Sequence, residues 1–254
     1  MNELILKDDL MTRYQEVIVR RDTLKRDAAQ TQYEYIHRFG DLIEEAFRLQ
    51  IECISLKKSI SYCLKMQNQG LGIDPAEMKK HVDAAMKPYH ERLKQLLDTL
   101  GDKGKIVSLQ EQQKVKAIYR RIARKIHPDV NPALFEHKDV QELWARVTKA
   151  YHVSDLKSLE EAEVLLSELL KKYDGEITLV LVPNIEEKIA EVEAECKQIL
   201  TTEPYTLRFL LEDEEDCEET KNSYKEQIEG LKIYREELTA QLHEFVGDLK
   251  REGE

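Results

Sequence analysis

An imidazole and a carboxylate one residue apart, His127-Pro128-Asp129, stand directly behind a run of cations. From Lys114 to Lys125 the chain carries six basic residues (Lys114, Lys116, Arg120, Arg121, Arg124 and Lys125) and no acidic one. The chemistry that suits such a set is recognition of a charged partner. No nucleophile elbow and no Gly-rich phosphate loop accompanies it. The other histidines (His37, His81, His90, His137, His152 and His243) lack the spacing of metal ligands. The chain is therefore expected to be no enzyme and to hold no metal or cofactor.

The elements that must position these residues are two helices. Val115, Tyr119, Ile122 and Ile126 step by four, three and four and share one helix face. Lys116, Arg120 and Arg124 line up at successive i+4 positions on the remaining surface. Pro128 lacks the amide that would continue the helix and restricts His127 before it, so the helix stops at about His127. Val140, Leu143, Trp144, Val147 and Tyr151 then form a second apolar face, giving an αα-hairpin with His127 and Asp129 at its exposed tip. Trp144, the only tryptophan, belongs in the hairpin core. Taken alone, His127 could simply cap the helix, and Asp129 could serve as cap and contact together.

The stretch resembles the J-domain of DnaJ-type co-chaperones. The pattern of that family reads roughly Tyr-Arg-Arg-Leu-Ala-x-Lys-aromatic-His-Pro-Asp-Lys-Asn-Pro. The chain matches it at Tyr119, Arg120, Arg121, Ala123, Lys125, His127, Pro128, Asp129, Asn131 and Pro132, and Trp144, Val147, Ala150 and Tyr151 keep the spacing of its next helix. Ile126 stands where the family usually has an aromatic residue, and Val130 where it has lysine. Leu97-Asp98-Thr99-Leu100-Gly101 only echoes the usual end of the first helix, and the signature of the family's fourth helix is absent after Tyr151. The resemblance implies a co-chaperone that binds a DnaK-type chaperone and stimulates its ATP hydrolysis. It implies that Lys116, Arg120, Arg121, Arg124 and Lys125 dock on an acidic patch of the chaperone. His127, Pro128 and Asp129 would then engage its interdomain region, where Asp129 pairs with an arginine. The alternative is a non-catalytic coiled-coil adaptor that keeps a degenerate J-like domain.

Composition sets the frame. In 254 residues, 35% are charged and only 7% aromatic, with nine glycines, six prolines and a net charge of −11. These values suit long helices better than a sheet-rich enzyme, and they make the basic helix a local positive island. The acidic balance and the lack of an aromatic stacking platform argue against nucleic acid as partner. No apolar run reaches the ~20 residues of a membrane span, and Glu3, Lys7, Asp8 and Asp9 break up any leader, so a cytoplasmic protein is expected. The four cysteines have no Cys-x-x-Cys spacing, which excludes the zinc modules of some DnaJ proteins.

Long arms flank the hairpin. Leu10, Tyr14, Val17, Leu24, Ala28, Thr31 and Tyr35 keep one register, with Arg21 intruding. It continues as Phe39, Leu42, Ala46, Leu49, Cys53, Leu56, Ile60 and Cys63. About 55 residues of helix would span roughly 80 Å, which needs partner helices. A second stripe (Ile36, Ile43, Phe47, Ile51, Ile54) calls for more than one. Gly70 and Gly72 end this arm, and Asp74-Pro75-Ala76-Glu77 starts the next. Ile185, Ile189, Val192, Cys196 and Ile199 form another stripe, Pro204 marks a break, and Tyr224 to Leu249 make a final helix. The acidic run Glu212 to Glu219 reads as a solvated face or helix start, and Ile177 to Val182 is the one β-like run.

The expected architecture is all-α, a J-domain-like helical hairpin between long antiparallel coiled-coil helices. Residues 1–72 form the first arm and 73–104 the second helix of that arm. Residues 105–174 are the J-like region and 175–254 the C-terminal helical region. The arms would select a client or, through coiled-coil pairing, build a homodimer.

Overall fold

The computed structural model describes residues 2–101, 107–173 and 184–248. Among them every regular element is a helix: α1 (Asn2–Asn68), α2 (Pro75–Gly101), α3 (Leu109–Ile126), α4 (Lys138–His152), α5 (Leu156–Lys172), α6 (Ile185–Thr201), α7 (Leu207–Glu212) and α8 (Glu214–Asp248). A short 3-10 turn, Leu134–Glu136, precedes α4. The β-like run Ile177 to Val182 and the last residue of the final stripe, Leu249, lie outside the described residues.

The helix ends follow from local chemistry. Gly70 takes φ 67°, and Leu71 N–H and Gly70 N–H bond back to Met66 and Gln67 carbonyls, the pattern that closes a helix on a left-handed glycine. Asp74 accepts the Ala76 amide at 2.8 Å with Pro75 in the first helical position. Ser108 caps α3 through the Glu111 amide, and Asp155 caps α5 through Ser158. The acidic run proves to be a helix start: Asp213 accepts the Glu215 amide, and Glu214, Glu215 and Asp216 occupy the first turn of α8.

The chain forms two compact units, Met1–Glu34 with Gly104–Phe209 and Tyr35–Lys103 with Leu210–Glu254. In the second unit the two stripes of α1 serve different helices. Phe39, Ala46, Leu49, Cys53 and Ile60 pack against Leu211, Cys217, Ile228 and Leu238. Phe47, Ile51 and Ile54 pack against Met78, Val82, Met86 and Tyr89 of α2. α2 runs antiparallel to α1, with Tyr62 against His81 and Gly40 beside Leu100.

The final helix departs from the expected antiparallel pairing. Tyr35 meets Tyr224, Glu45 meets Lys232 and Glu52 meets Arg235, so α8 runs parallel to α1. The reason is the connection. The chain leaves α2, builds most of the first unit, and re-enters the second at Leu210 beside Phe39, the start of this stretch of α1.

In the first unit α3, α4 and α5 enclose one core of Val115, Tyr119, Ile122, Ile126, Val140, Trp144, Val147, Leu159 and Leu166. Val19 of α1 joins it. The opposite side of α1 (Met11, Tyr14, Val17, Ile18, Leu24, Ala28) packs with Ile189, Val192 and Cys196 of α6. Residues 9–34 of α1 are therefore buried on two sides, with Val19 facing α3–α5 while Met11 and Ile18 widen the face toward α6.

Candidate partner-binding site

α3 presents its cations because its apolar residues are committed to the core. Val115, Ile122, Ala123 and Ile126 have no exposed surface, and this turns Arg120, Arg121, Arg124 and Lys125 outward. The helix ends where Pro128 requires. His127 is its C-cap in extended backbone, with its N–H still bonded to the Ala123 carbonyl.

The turn that follows is held from within. Val130 and Asn131 amides both bond to the His127 carbonyl, at 3.0 and 2.8 Å. Asn131 is buried, and its side chain donates to the Lys125 carbonyl while accepting the Leu134 amide. The His127 ring lies edge-on to Trp144 with centroids 4.8 Å apart, and Tyr119 stacks on Tyr151 at 3.8 Å. α4 thus supplies the aromatic wall on which the turn rests.

His127 does not stand at an exposed tip. Its residue surface is only 4% exposed, because α1 passes over it. Nδ1 accepts the Asp129 amide at 3.1 Å, so in the neutral ring the proton sits on Nε2, 3.3 Å from Asp22 Oδ2. The same Asp22 oxygen accepts the Tyr119 hydroxyl at 2.7 Å. Asp22 also holds Arg21 at 3.0 Å, and Arg21 reaches Asp129 at 3.5 Å. Asp129 keeps 43% of its side chain exposed and Pro128 is half-buried.

Two cations of α3 are likewise engaged by α1. Lys116 pairs with Asp27 at 2.8 Å, and Arg124 lies 3.7 Å from Glu16. Arg121 instead forms a two-pronged pair with Glu163 of α5. Arg120 and Lys125 stay on the surface. The structure therefore gathers all eight residues singled out in the sequence onto α3 and its following turn. It adds Glu16, Arg21, Asp22 and Asp27, which the sequence reading missed. Arg21 was the one visible signal, a charge on an otherwise apolar register.

Burial shapes the titration of this cluster. Desolvation pushes the Asp22 carboxyl up, but hydrogen bonds from His127 and Tyr119 and the Arg21 charge outweigh it and hold it below the usual aspartate range. Burial, reinforced by Asp22, drives the Tyr119 hydroxyl far above the usual phenol range, and burial pushes Tyr151 up to about 12. Both phenols stay protonated as hydrogen-bond donors.

Arg26 is the other buried charge. It is 2% exposed, donates to Ser154 at 3.0 Å and lies over the Tyr151 ring. Its Nε and Nη1 have no hydrogen-bond partner among the described residues.

Among the described residues no group of histidines, cysteines or carboxylates could hold a metal ion, and no helix is long and apolar enough to cross a membrane. Compared with protein-family models, curated proteins and solved structures, the chain matches none.

Proposed function

We propose that this chain is a J-domain-type co-chaperone that docks α3 and the His127-Pro128-Asp129 turn on a DnaK-type chaperone and stimulates its ATP hydrolysis. The observation that carries the reading is the turn itself. The tripeptide closes a helix whose outward face is basic, and Asn131 and Trp144 brace it so that the Asp129 carboxylate stays at the surface. A preformed turn loses little conformational entropy on docking. Arg120, Arg121, Arg124 and Lys125 supply the attraction to an acidic surface, which steers encounter on a chain whose net charge is −11. A partner of this kind acts by binding one conformer of the chaperone more tightly than the other, so the chain needs no catalytic group of its own.

Titration of the full chain with a DnaK-type chaperone tests the docking. Arg120→Glu with Arg124→Glu should weaken binding at least about tenfold. Undiminished binding would point to the adaptor reading, in which the arms, and not α3, hold the partner. The cover over His127 is the observation that favours that second reading.

A further inference from the structure

We infer that the Glu16–Asp27 segment of α1 is an intramolecular competitor for the partner, closing over the basic face and the His127 turn. The inference rests on the docking reading above and concerns how that same surface is regulated. Three kinds of contact close the cover. Asp22 binds His127 and Tyr119, Asp27 binds Lys116, and Glu16 approaches Arg124, so acidic groups of α1 occupy cations and the imidazole that the partner would otherwise meet. Arg21 lies against Asp129, which places a guanidinium on the carboxylate of the turn. The third contact is apolar: Val130, next to Asp129, is 4% exposed and belongs to the cluster shared by α1 and α6.

These contacts differ from ordinary core packing in what they consume. A helix held only for stability would cover apolar surface, as α1 does with Val19. Here it also neutralises a lysine and approaches an arginine on the outward side of α3. Asp129 remains partly exposed and Arg120 and Lys125 keep exposed surface, Arg120 at the edge of the groove between α1 and α3, so the closed form presents an incomplete binding face. Docking then requires α1 to yield at Glu16–Asp27, and the apparent affinity falls in proportion to the open fraction.

The test is single-turnover ATP hydrolysis by a DnaK-type chaperone, measured against the concentration of full-length chain. Wild type is compared with Val130→Lys, which places a charge in the α1–α6 cluster, and with Asp22→Asn/Asp27→Asn, which removes the acidic contacts at nearly constant shape. Each is repeated with Asp129→Asn added. The half-stimulating concentration should drop at least about threefold in the released variants with the plateau unchanged, and Asp129→Asn should abolish stimulation in all. If Val130→Lys loses helical circular dichroism, the amide pair carries the test. Equal half-stimulating concentrations, with stimulation still lost on Asp129→Asn, would overturn the competitor while leaving the docking intact. No stimulation by any form would remove the docking reading and the competitor with it.

Discussion

Arg21 lies 3.5 Å from the Asp129 carboxylate, and the same guanidinium holds Asp22 at 3.0 Å. A charge that interrupts the apolar register of α1 is thereby one of the links between that helix and the turn after α3, beside the Asp22–His127 contact. Arg21 feels burial, which lowers its proton affinity, but the two carboxylates more than offset it and raise it above the usual arginine range. The contact fixes how α1 sits on the turn, and the consequences are open to measurement.

The first concerns acid. Asp22 titrates below its ordinary value of 3.8 in the folded chain, so its contribution to stability is present above that pH. It is lost as pH falls through the lower folded value. Asp22→Asn should cost about 1.5–3 kcal/mol at pH 7, the range for hydrogen bonds to a charged group. The difference should shrink well below pH 3.8. Urea unfolding followed by Trp144 fluorescence at neutral and acid pH reads both values. An equal difference at the two pH values would contradict the assignment.

The second concerns Ile126, fully buried among Ile122, Trp144 and Val147 where the J-domain pattern has an aromatic ring. Ile126→Phe should overpack this core and destabilise the first unit by about 1–3 kcal/mol. Unfolding at unchanged or higher urea would show that the core has room for the ring.

A third concerns Arg26. Its guanidinium lies 3.7 Å from Asp27, donates to Ser154 and covers the Tyr151 ring, so Arg26→Met strips three partners at once and should lower stability by about 1–3 kcal/mol in urea unfolding. An unchanged or higher midpoint would mean that burying the guanidinium, with Nε and Nη1 making no hydrogen bond among the described residues, costs more than these partners return.

The thiols give a fourth. All four cysteines are buried and unpaired, and burial pushes Cys53, Cys63 and Cys196 above the usual thiol range. Under native conditions at pH 7 a disulfide reagent should titrate these thiols slowly, and in denaturant all four should react at once. Rapid native reaction of any of the three would contradict their placement.

Much of this was legible in the chain. The four-three spacing of Val115, Tyr119, Ile122 and Ile126 and the block at Pro128 led directly to α3 and its end. The double stripe on α1 called for more than one partner helix: Phe47, Ile51 and Ile54 meet α2, while Ile43 of the same stripe joins Phe39 against α7 and α8. The direction of α8 was not legible, because apolar stripes are interchangeable and periodicity carries no polarity. The cover over His127 was hidden for a related reason. Glu16, Asp22 and Asp27 lie on a long charged helix, where such residues ordinarily face solvent. Only the three-dimensional return of α3 beneath α1 turns them into partners of Arg124, His127 and Lys116.

The central claim is that the His127 turn acts on a DnaK-type chaperone. Single-turnover ATP hydrolysis, with saturating full-length chain or its His127→Gln variant, tests it most directly. The wild type should raise the rate about tenfold, a barrier change of ~1.4 kcal/mol, and the variant should return it to the basal value. No acceleration by the wild type, or equal acceleration by the variant, would contradict the claim.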